Sequence, residues 1–265
     1  MPQIEEKQPT PPDAIAVKRR ASILLHIFIK ALATPPEVVL ARFDSPSMEG
    51  EKAKLASGCE EMFSKQRDKL RSAGLWEEMD ESEQGFVNAG IFETTMRQRI
   101  NASWMAESIM CLLWALGHKK QIPDYDQQYD LQSDKRSGAD LLRDATQRAV
   151  LRPQSEIEKQ RDWAELWHWR CRTHSLLATG EIPEALPDGT PMAKIIGMTA
   201  EKAAEDGIFA QPIGGDFPVF GKAFHEVSED ELGQLTSIAM ERHKALNWLC
   251  GYAPRNRWSE TPTDT

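Results

Sequence analysis

The fold of this chain is decided by the stretch Ser103-Trp104-Met105-Ala106-Glu107-Ser108-Ile109-Met110-Cys111-Leu112-Leu113-Trp114-Ala115-Leu116-Gly117. Its residues favour a helix that is apolar on nearly every side, and such a helix lies in the interior of a protein. The exception is Glu107, which shares a face with Trp104 and Trp114. A buried carboxylate has to find a cationic or hydrogen-bonding partner or take up a proton. The sequence therefore predicts a polar centre inside the protein, without indicating what that centre does.

Composition and charge are those of an ordinary soluble globular chain. Of the 265 residues, 40% are hydrophobic and 28% charged, and the net charge is −9. Nucleic acid is an improbable partner, because proteins that bind phosphate backbones carry a basic footprint, and the compact basic cluster here is only Lys18-Arg19-Arg20. No membrane partner is expected, since the apolar run 21–33 is interrupted by His26 and Lys30 and is too short to span a bilayer.

The N-terminus and the cysteines indicate a cytoplasmic protein. The chain opens with Met1-Pro2-Gln3-Ile4-Glu5-Glu6, which is acidic where a secretory signal would be basic. The cysteines lie far apart and never form a Cys-x-x-Cys pair, so each is predicted to be a reduced thiol: Cys59, Cys111, Cys171 and Cys250.

Helix boundary signals recur along the chain, whereas strand-like alternation is nearly absent. Asp13 can cap a first helix that Pro35-Pro36 ends, and Pro153 can open a long one. The sequence Ser228-Glu229-Asp230-Glu231 forms a capping box for the last helix, which Gly251 ends. Further helices are expected over 48–73, 79–89, 138–149 and 192–206.

These signals predict an all-α fold. We expect a single multi-helix globular domain over 13–265, after a disordered lead-in over 1–12 that carries four prolines. The segment Gly207 to Val227 is rich in glycine and proline and should be an irregular loop or a small hairpin packed on the helices.

Three of the predicted helices place charged side chains within a hydrophobic stripe. These candidate site residues are Glu107, Asp162, Arg170 and Arg242. We hypothesise that they meet in one centre, because the planar guanidinium of arginine can hold two carboxylate oxygens while staying charged. Such a centre can have a structural role, in which the ion pairs set how the helices align with one another, and this is the commoner case. Alternatively, it can form a ligand-binding or catalytic site. Candidate binding residues around it are Trp104, Trp114, Trp169, Glu241 and Trp248.

The sequence gives little support for a metal site or a bound cofactor. Glu165-x-x-His168 occurs once, whereas carboxylate-bridged di-iron bundles use the motif twice. His168, Cys171 and His174 recur at every third residue, but His168 and His174 diverge around the helix. Motifs for zinc, phosphate loops or activated nucleophiles are missing from the sequence. We therefore predict neither a metal site nor a cofactor.

Three pieces of the sequence together resemble a known family. They are Trp104-x-x-Glu107 running into Leu113–Gly117; Glu156-Ile157 with Asp162, Trp169 and Arg170; and Glu241–Gly251 followed by Trp258 and Thr263-Asp264-Thr265. In this combination, and in its Lys18-Arg19-Arg20-Ala21-Ser22 opening, the chain resembles the bacterial family called domain of unknown function 4272, over about residues 17–265. The resemblance implies a single cytoplasmic helical domain and includes the charged positions named above, and it implies no catalytic role for any of them.

Two functions follow as hypotheses. The first is a non-enzymatic helical module that binds another protein or a small molecule. The alternative is a hydrolase-like enzyme in which Glu107 is the general acid or base and Arg170 or Arg242 holds an anionic group. An enzyme would need an opening of ligand size beside the Glu107 carboxylate, whereas a structural network would be sealed by tryptophans.

Overall fold

The computed structural model describes residues 10–133 and 150–264. The described residues form two compact units. The first unit comprises residues 12–119, 130–133 and 150–151, and the second comprises 10–11, 120–129 and 152–264. The helix predicted over 138–149 and most of the predicted lead-in lie outside the described residues. The single domain over 13–265 stays a prediction.

The first unit is built from helices whose ends follow local signals. Asp13 caps the first of them by accepting a hydrogen bond from the Ala16 N–H at 2.8 Å, and Pro35-Pro36 follows its end. Asp80 and Thr95 each open a helix with a capping box. The helices are α1 (Ala14–Ala33), α2 (Glu37–Leu40), α3 (Glu49–Ser72), α4 (Glu81–Asn88) and α5 (Met96–Ala115), and single 3-10 turns cover Ala41–Asp44, Pro46–Met48 and Trp76–Glu78.

Helix α5 is the centre of the first unit. Every residue from Ala106 to Ala115 is buried, as the sequence predicts for a helix that is hydrophobic all round. Helix α1 packs along α5 and is itself mostly buried. The core between α1, α3, α4 and α5 consists of Ile23, Ile27, Ala31, Leu70, Leu75, Met79, Phe86, Val87 and Ala102.

Within the described ranges 10–133 and 150–264, no single helix has both the length and the apolarity needed to cross a bilayer. Helix α1 and the segment 37–44 pass that test only as a pair, bent by 46°.

The second unit is built around two long helices packed against each other, α6 (Gln154–Thr179) and α8 (Glu229–Leu249). Helix α6 begins directly after Pro153, and α8 begins with the predicted capping box between Ser228 and Glu231. The remaining helix is α7 (Met192–Glu205), and 3-10 turns cover Phe224–Glu226, Pro254–Asn256 and Trp258–Glu260.

Gly251, just after α8, contacts residues 10–11 of the same unit. Its φ is +82°, and a Cβ at this position would lie 2.5 Å from the carbonyl carbon of Thr10 and 2.6 Å from the nitrogen of Pro11. The position therefore needs glycine for both its backbone conformation and its close approach.

The segment 207–227 contains a small hairpin, one of the two forms predicted for it. Strands β1 (Pro218–Val219) and β2 (Lys222–Ala223) pair antiparallel, with Pro218 opposite Ala223 and Val219 opposite Lys222. The fold of the described residues is otherwise helical, which confirms the all-α class.

The turn of this hairpin is strained. Phe220 and Gly221 both have positive φ, at +51° and +73°, and asparagine is preferred over phenylalanine at the first position of such a turn. We expect Phe220→Asn to stabilise the protein by about 0.5–1 kcal/mol, because asparagine tolerates the left-handed conformation. The test compares the melting temperatures of Phe220→Asn and Phe220→Ala. The alanine variant removes the ring but keeps the strained backbone conformation. Equal melting points for the two variants would contradict the prediction.

Candidate functional site

A groove of ligand size lies between α1 and α3 in the first unit. Its volume is about 840 Å³, within the range of small-molecule sites. We call it the α1–α3 groove. It is lined by Ser22, His26 and Ile29 of α1, by Gly58, Glu61, Met62, Lys65, Gln66, Lys69 and Ser72 of α3, and by Ala73 and Leu75.

The two ends of the α1–α3 groove differ in chemistry. The Gln66 amide donates a hydrogen bond to the His26 carbonyl at 2.7 Å, and the Arg19 guanidinium donates one to the Gly74 carbonyl, so the two helices run antiparallel. One end of the groove is therefore basic and hydroxyl-bearing, with Ser22, Lys69 and Ser72. The apolar residues Ile29, Met62 and Gly58 lie towards the other end, beside the Glu61–Lys65 ion pair.

His26 lies between these two ends, with 4% of its surface exposed. Its Nδ1 is 2.8 Å from the Ser22 carbonyl oxygen. Because a carbonyl only accepts, Nδ1 carries the hydrogen and Nε2 offers a lone pair. The ring of His26 makes its one hydrogen bond within the described residues through Nδ1, and His26 lines the groove. Burial lowers the pKa of His26, and the charge of Lys69 lowers it further, so the ring is neutral at physiological pH.

Charge in the α1–α3 groove is positive at one end. Glu61 and Lys65 neutralise each other in an ion pair of 2.7 Å on α3. Lys69 forms no ion pair with any residue of the described ranges. Its ammonium group is therefore available to an anion at the hydroxyl-bearing end.

Glu107 does not line this groove. It is completely buried in α5. Its predicted grouping with the arginines stays a prediction, and so does its role as a general acid or base.

In the second unit Arg170 pairs with Asp216, a carboxylate that is not among the predicted site residues. Its Nε and Nη2 donate to the two oxygens of Asp216 at 2.7 and 2.6 Å, and both side chains are buried. Asp216 also accepts from the backbone N–H groups of Phe217 and His225 and faces Nδ1 of His225 at 3.1 Å. Burial alone would raise the pKa of Asp216, but the hydrogen bonds and charge of Arg170 hold it below its ordinary value.

Asp162 and Arg170 do not pair with each other in this structure. Both residues belong to α6, and eight residues of helix separate their Cα atoms by about 12 Å along the axis. Asp162 instead pairs with Arg161 at 3.0 Å, with 65% of its side chain exposed.

Arg242 is completely buried and holds a loop in place. Its Nη1 donates to the carbonyl of Pro123 at 2.6 Å, and its Nη2 donates to the carbonyl of Gln127 at 2.9 Å. Its guanidinium carbon lies 4.8 Å from the ring centroid of Tyr125. These contacts give Arg242 a structural role within the second unit.

A chain of hydrogen bonds joins α6 and α8. Arg161 Nε donates to Asn247 Oδ1 at 2.9 Å, and Asn247 Nδ2 lies 2.8 Å from the Pro262 carbonyl and 2.9 Å from His243 Nε2. Since Arg161 only donates and the carbonyl only accepts, the orientation of the amide is fixed and His243 Nε2 must accept. His243 Nδ1 therefore carries the hydrogen and donates to His168 Nδ1 at 3.1 Å.

Both histidines of this chain are neutral at physiological pH. Burial, with the charges of His168 and Arg161, lowers the pKa of His243 to about 4. Burial and the charge of Arg172 lower the pKa of His168. His168 thus contacts His243, and the described residues contain no group of three or more His, Cys, Asp or Glu side chains placed to hold a metal ion.

The candidate binding residues belong to both units. Trp104 is half-buried and Trp114 is buried in α5, while Glu241 is half-buried in α8. The rings of Trp169 and Phe217 are 6.5 Å apart, and Trp248 donates to the Asn256 carbonyl at 2.9 Å. The aromatic centre of the second unit is instead Trp167, whose ring contacts those of Tyr125, Phe209, Phe217 and Phe224.

Four residues of the groove and of the buried networks were not predicted from the sequence: His26, Asp216, His243 and Asn247. For His26 a signal exists, because it interrupts an apolar helix face. Asp216 lies in a glycine-rich loop that has no periodic pattern to mark it.

Comparison with known proteins gives one match. A family model, described as a domain of unknown function, DUF4272, matches residues 1–197. The match spans both helices of the α1–α3 groove and α6, and ends before Asp216 and α8, so the C-terminal motif that carried part of the resemblance lies outside it. No curated protein and no solved structure was found to match. With well over half of its length covered, the chain belongs to the DUF4272 family.

Proposed function

We propose that the protein is a non-enzymatic binding module whose α1–α3 groove holds a small amphipathic anion. The observation that carries this proposal is the polarity of the groove, which is basic at Lys69 and apolar at Ile29 and Met62. An anionic group would lie beside Lys69, and a hydrocarbon chain would extend towards Gly58. Sites for small molecules usually combine an apolar lining with a few polar groups in this way.

The lining of the groove favours binding over catalysis. Glu61 is the carboxylate that lines it, and this group is already paired with Lys65. Glu107, the candidate general acid or base of the enzymatic alternative, is not part of the lining. The groove therefore offers charge and shape to a ligand without a carboxylate placed for proton transfer.

We also propose a bacterial cytoplasm as the compartment. All four cysteines are thiols rather than disulfides, which is typical of a reducing environment.

Blocking the groove should abolish binding of its ligand. Gly58 lines the apolar end, and nothing lies within 4 Å of a Cβ placed there. Gly58→Leu is expected to project its side chain into the space of the hydrocarbon chain and to prevent binding of dodecanoate, measured by calorimetry below the concentration at which dodecanoate aggregates. The matched control is Gly50→Leu, since Gly50 is an exposed glycine of the same helix, also with open space, outside the groove.

The basic end can be tested with a second pair of variants. Lys69→Gln should weaken dodecanoate binding, and Lys54→Gln, an exposed position of α3 outside the lining, should not. Wild-type protein that does not bind dodecanoate, or Gly58→Leu that binds it as well as Gly50→Leu does, would overturn the proposed function.

A further inference from the structure

We infer that His26 selects the ligand of the α1–α3 groove, favouring amphipathic anions that carry an O–H or N–H donor between the hydrocarbon chain and the anionic group. This inference rests on the proposed function and adds a chemical class to it. 3-Hydroxy fatty acids and N-acyl amino acids belong to that class, whereas simple fatty acids do not.

The position of His26 sets where the donor would lie. On α1, Ser22 precedes His26 by four residues and Ile29 follows it by three, which places them about 6 Å and about 4.5 Å away along the helix axis. A group beside His26 is therefore between the basic end and the apolar end of the groove. In an extended amphipathic acid this is the region next to the carboxylate.

The chemistry of His26 sets what that group must be. Nδ1–H is already donated to the Ser22 carbonyl, so the ring can offer the groove only the lone pair of Nε2. A hydrocarbon chain lying over Nε2 would remove water from an acceptor without replacing its hydrogen bond, and such desolvation is unfavourable. A ligand hydroxyl or amide N–H at the same place would restore the bond.

The donors beside His26 are already committed to other contacts. Gln66, the other neutral polar side chain in the middle of the groove, has its amide N–H committed to the His26 carbonyl at 2.7 Å. The ammonium of Lys65 is paired with Glu61. Nε2 of His26 and Oε1 of Gln66 are then the acceptors in the middle of the groove that a ligand donor can reach without breaking an existing contact, and His26→Phe removes the first and keeps the second.

The experiment compares 3-hydroxydodecanoate with dodecanoate on the full chain at pH 8, where His26 is neutral. For wild-type protein we expect the hydroxylated acid to bind roughly tenfold more tightly, the value of one hydrogen bond to a desolvated acceptor. His26→Phe keeps a ring of similar shape but has no acceptor, so it should bind the two acids equally. His26→Gln supplies an amide oxygen instead of Nε2 and should keep part of the preference.

Each result separates the inference from the proposed function. If wild-type protein binds both acids with the same affinity, the selection by His26 is overturned and the groove remains a binding site for amphipathic anions. If the preference persists in His26→Phe, another residue is responsible and the inference again fails. If neither acid binds, both proposals fail together.

Discussion

Asp216→Asn is expected to destabilise the second unit by about 3–5 kcal/mol, the usual loss when one partner of a buried ion pair is removed. Arg170 is 2% exposed and its Nη1 has no hydrogen-bond partner in the described part of the chain. The guanidinium therefore depends on the carboxylate of Asp216, to which it donates two hydrogen bonds. An asparagine amide would turn its NH₂ group towards those donors or towards the backbone N–H groups of Phe217 and His225, and would leave the positive charge buried without a counter-charge.

The matched control is Asp162→Asn. Asp162 also pairs with an arginine of α6, but 65% of its side chain is exposed. Exposed pairs contribute little, so we expect a change below about 0.5 kcal/mol. Urea unfolding followed by circular dichroism compares the free energies of unfolding of both variants with that of wild-type protein. Similar losses for the two variants would show that the buried pair does not hold the 213–225 loop on α6.

The second large effect is a loss of stability in mild acid. His243 has a pKa of about 4 in the folded protein and 6.5 as its ordinary value. Because the pKa of His243 is lower in the folded state, the unfolded state binds the proton at a higher pH. The contribution of His243 to the free energy of unfolding is therefore complete above pH 6.5 and is lost as the pH falls towards 4. The difference corresponds to about 3 kcal/mol for this one group. Asp216 titrates below this window, since its pKa lies under its ordinary value of 3.8.

Unfolding free energies measured at intervals from pH 7.5 to 4.5 test this expectation. His243→Gln should flatten the pH dependence relative to wild-type protein, whatever its absolute stability. His118→Gln, at an exposed histidine, should leave the slope unchanged. A slope that is the same in all three proteins would contradict the assignment.

The hydrogen-bond chain adds an independent readout. Nitrogen-15 spectra of the histidine rings should show the Nδ1–H tautomer for His243 and the Nε2–H tautomer for His168. The two contacting histidines would then have opposite tautomers. Two Nε2–H tautomers would mean that the Asn247 amide lies in the other orientation and that Arg161 does not fix the chain.

The helices could be predicted because their signals are local. Asp13, Pro153 and Ser228 act on backbone groups within one turn, so the sequence alone defines where α1, α6 and α8 begin. The burial of Ala106–Ala115 also follows from composition, because no side of that helix is polar enough to face water.

The partners of the charged residues could not be predicted in the same way. The helical periodicity of the sequence correctly places Arg170 in an apolar stripe. Its partner Asp216, however, is 46 residues away, in a loop whose path depends on glycine conformations and on the pairing of the hairpin. The α1–α3 groove has the same difficulty, since it exists only once two helices with other faces committed to the core lie side by side. His26 was visible as an interruption of an apolar run, but its open Nε2 is a property of the packed pair.

The contact of Thr10 and Pro11 with Gly251 has a consequence for the order in which the protein is made. The second unit draws on residues at both ends of the described chain, while most of the first unit is the continuous stretch 12–119. During synthesis that stretch leaves the ribosome complete, and its helices can pack while α8 is still untranslated. Thr10 leaves the ribosome before these helices, but its contact with Gly251 can form only after Gly251 has been translated. The stretch 12–119 can therefore fold before the second unit is complete, and the segment that precedes it docks only afterwards.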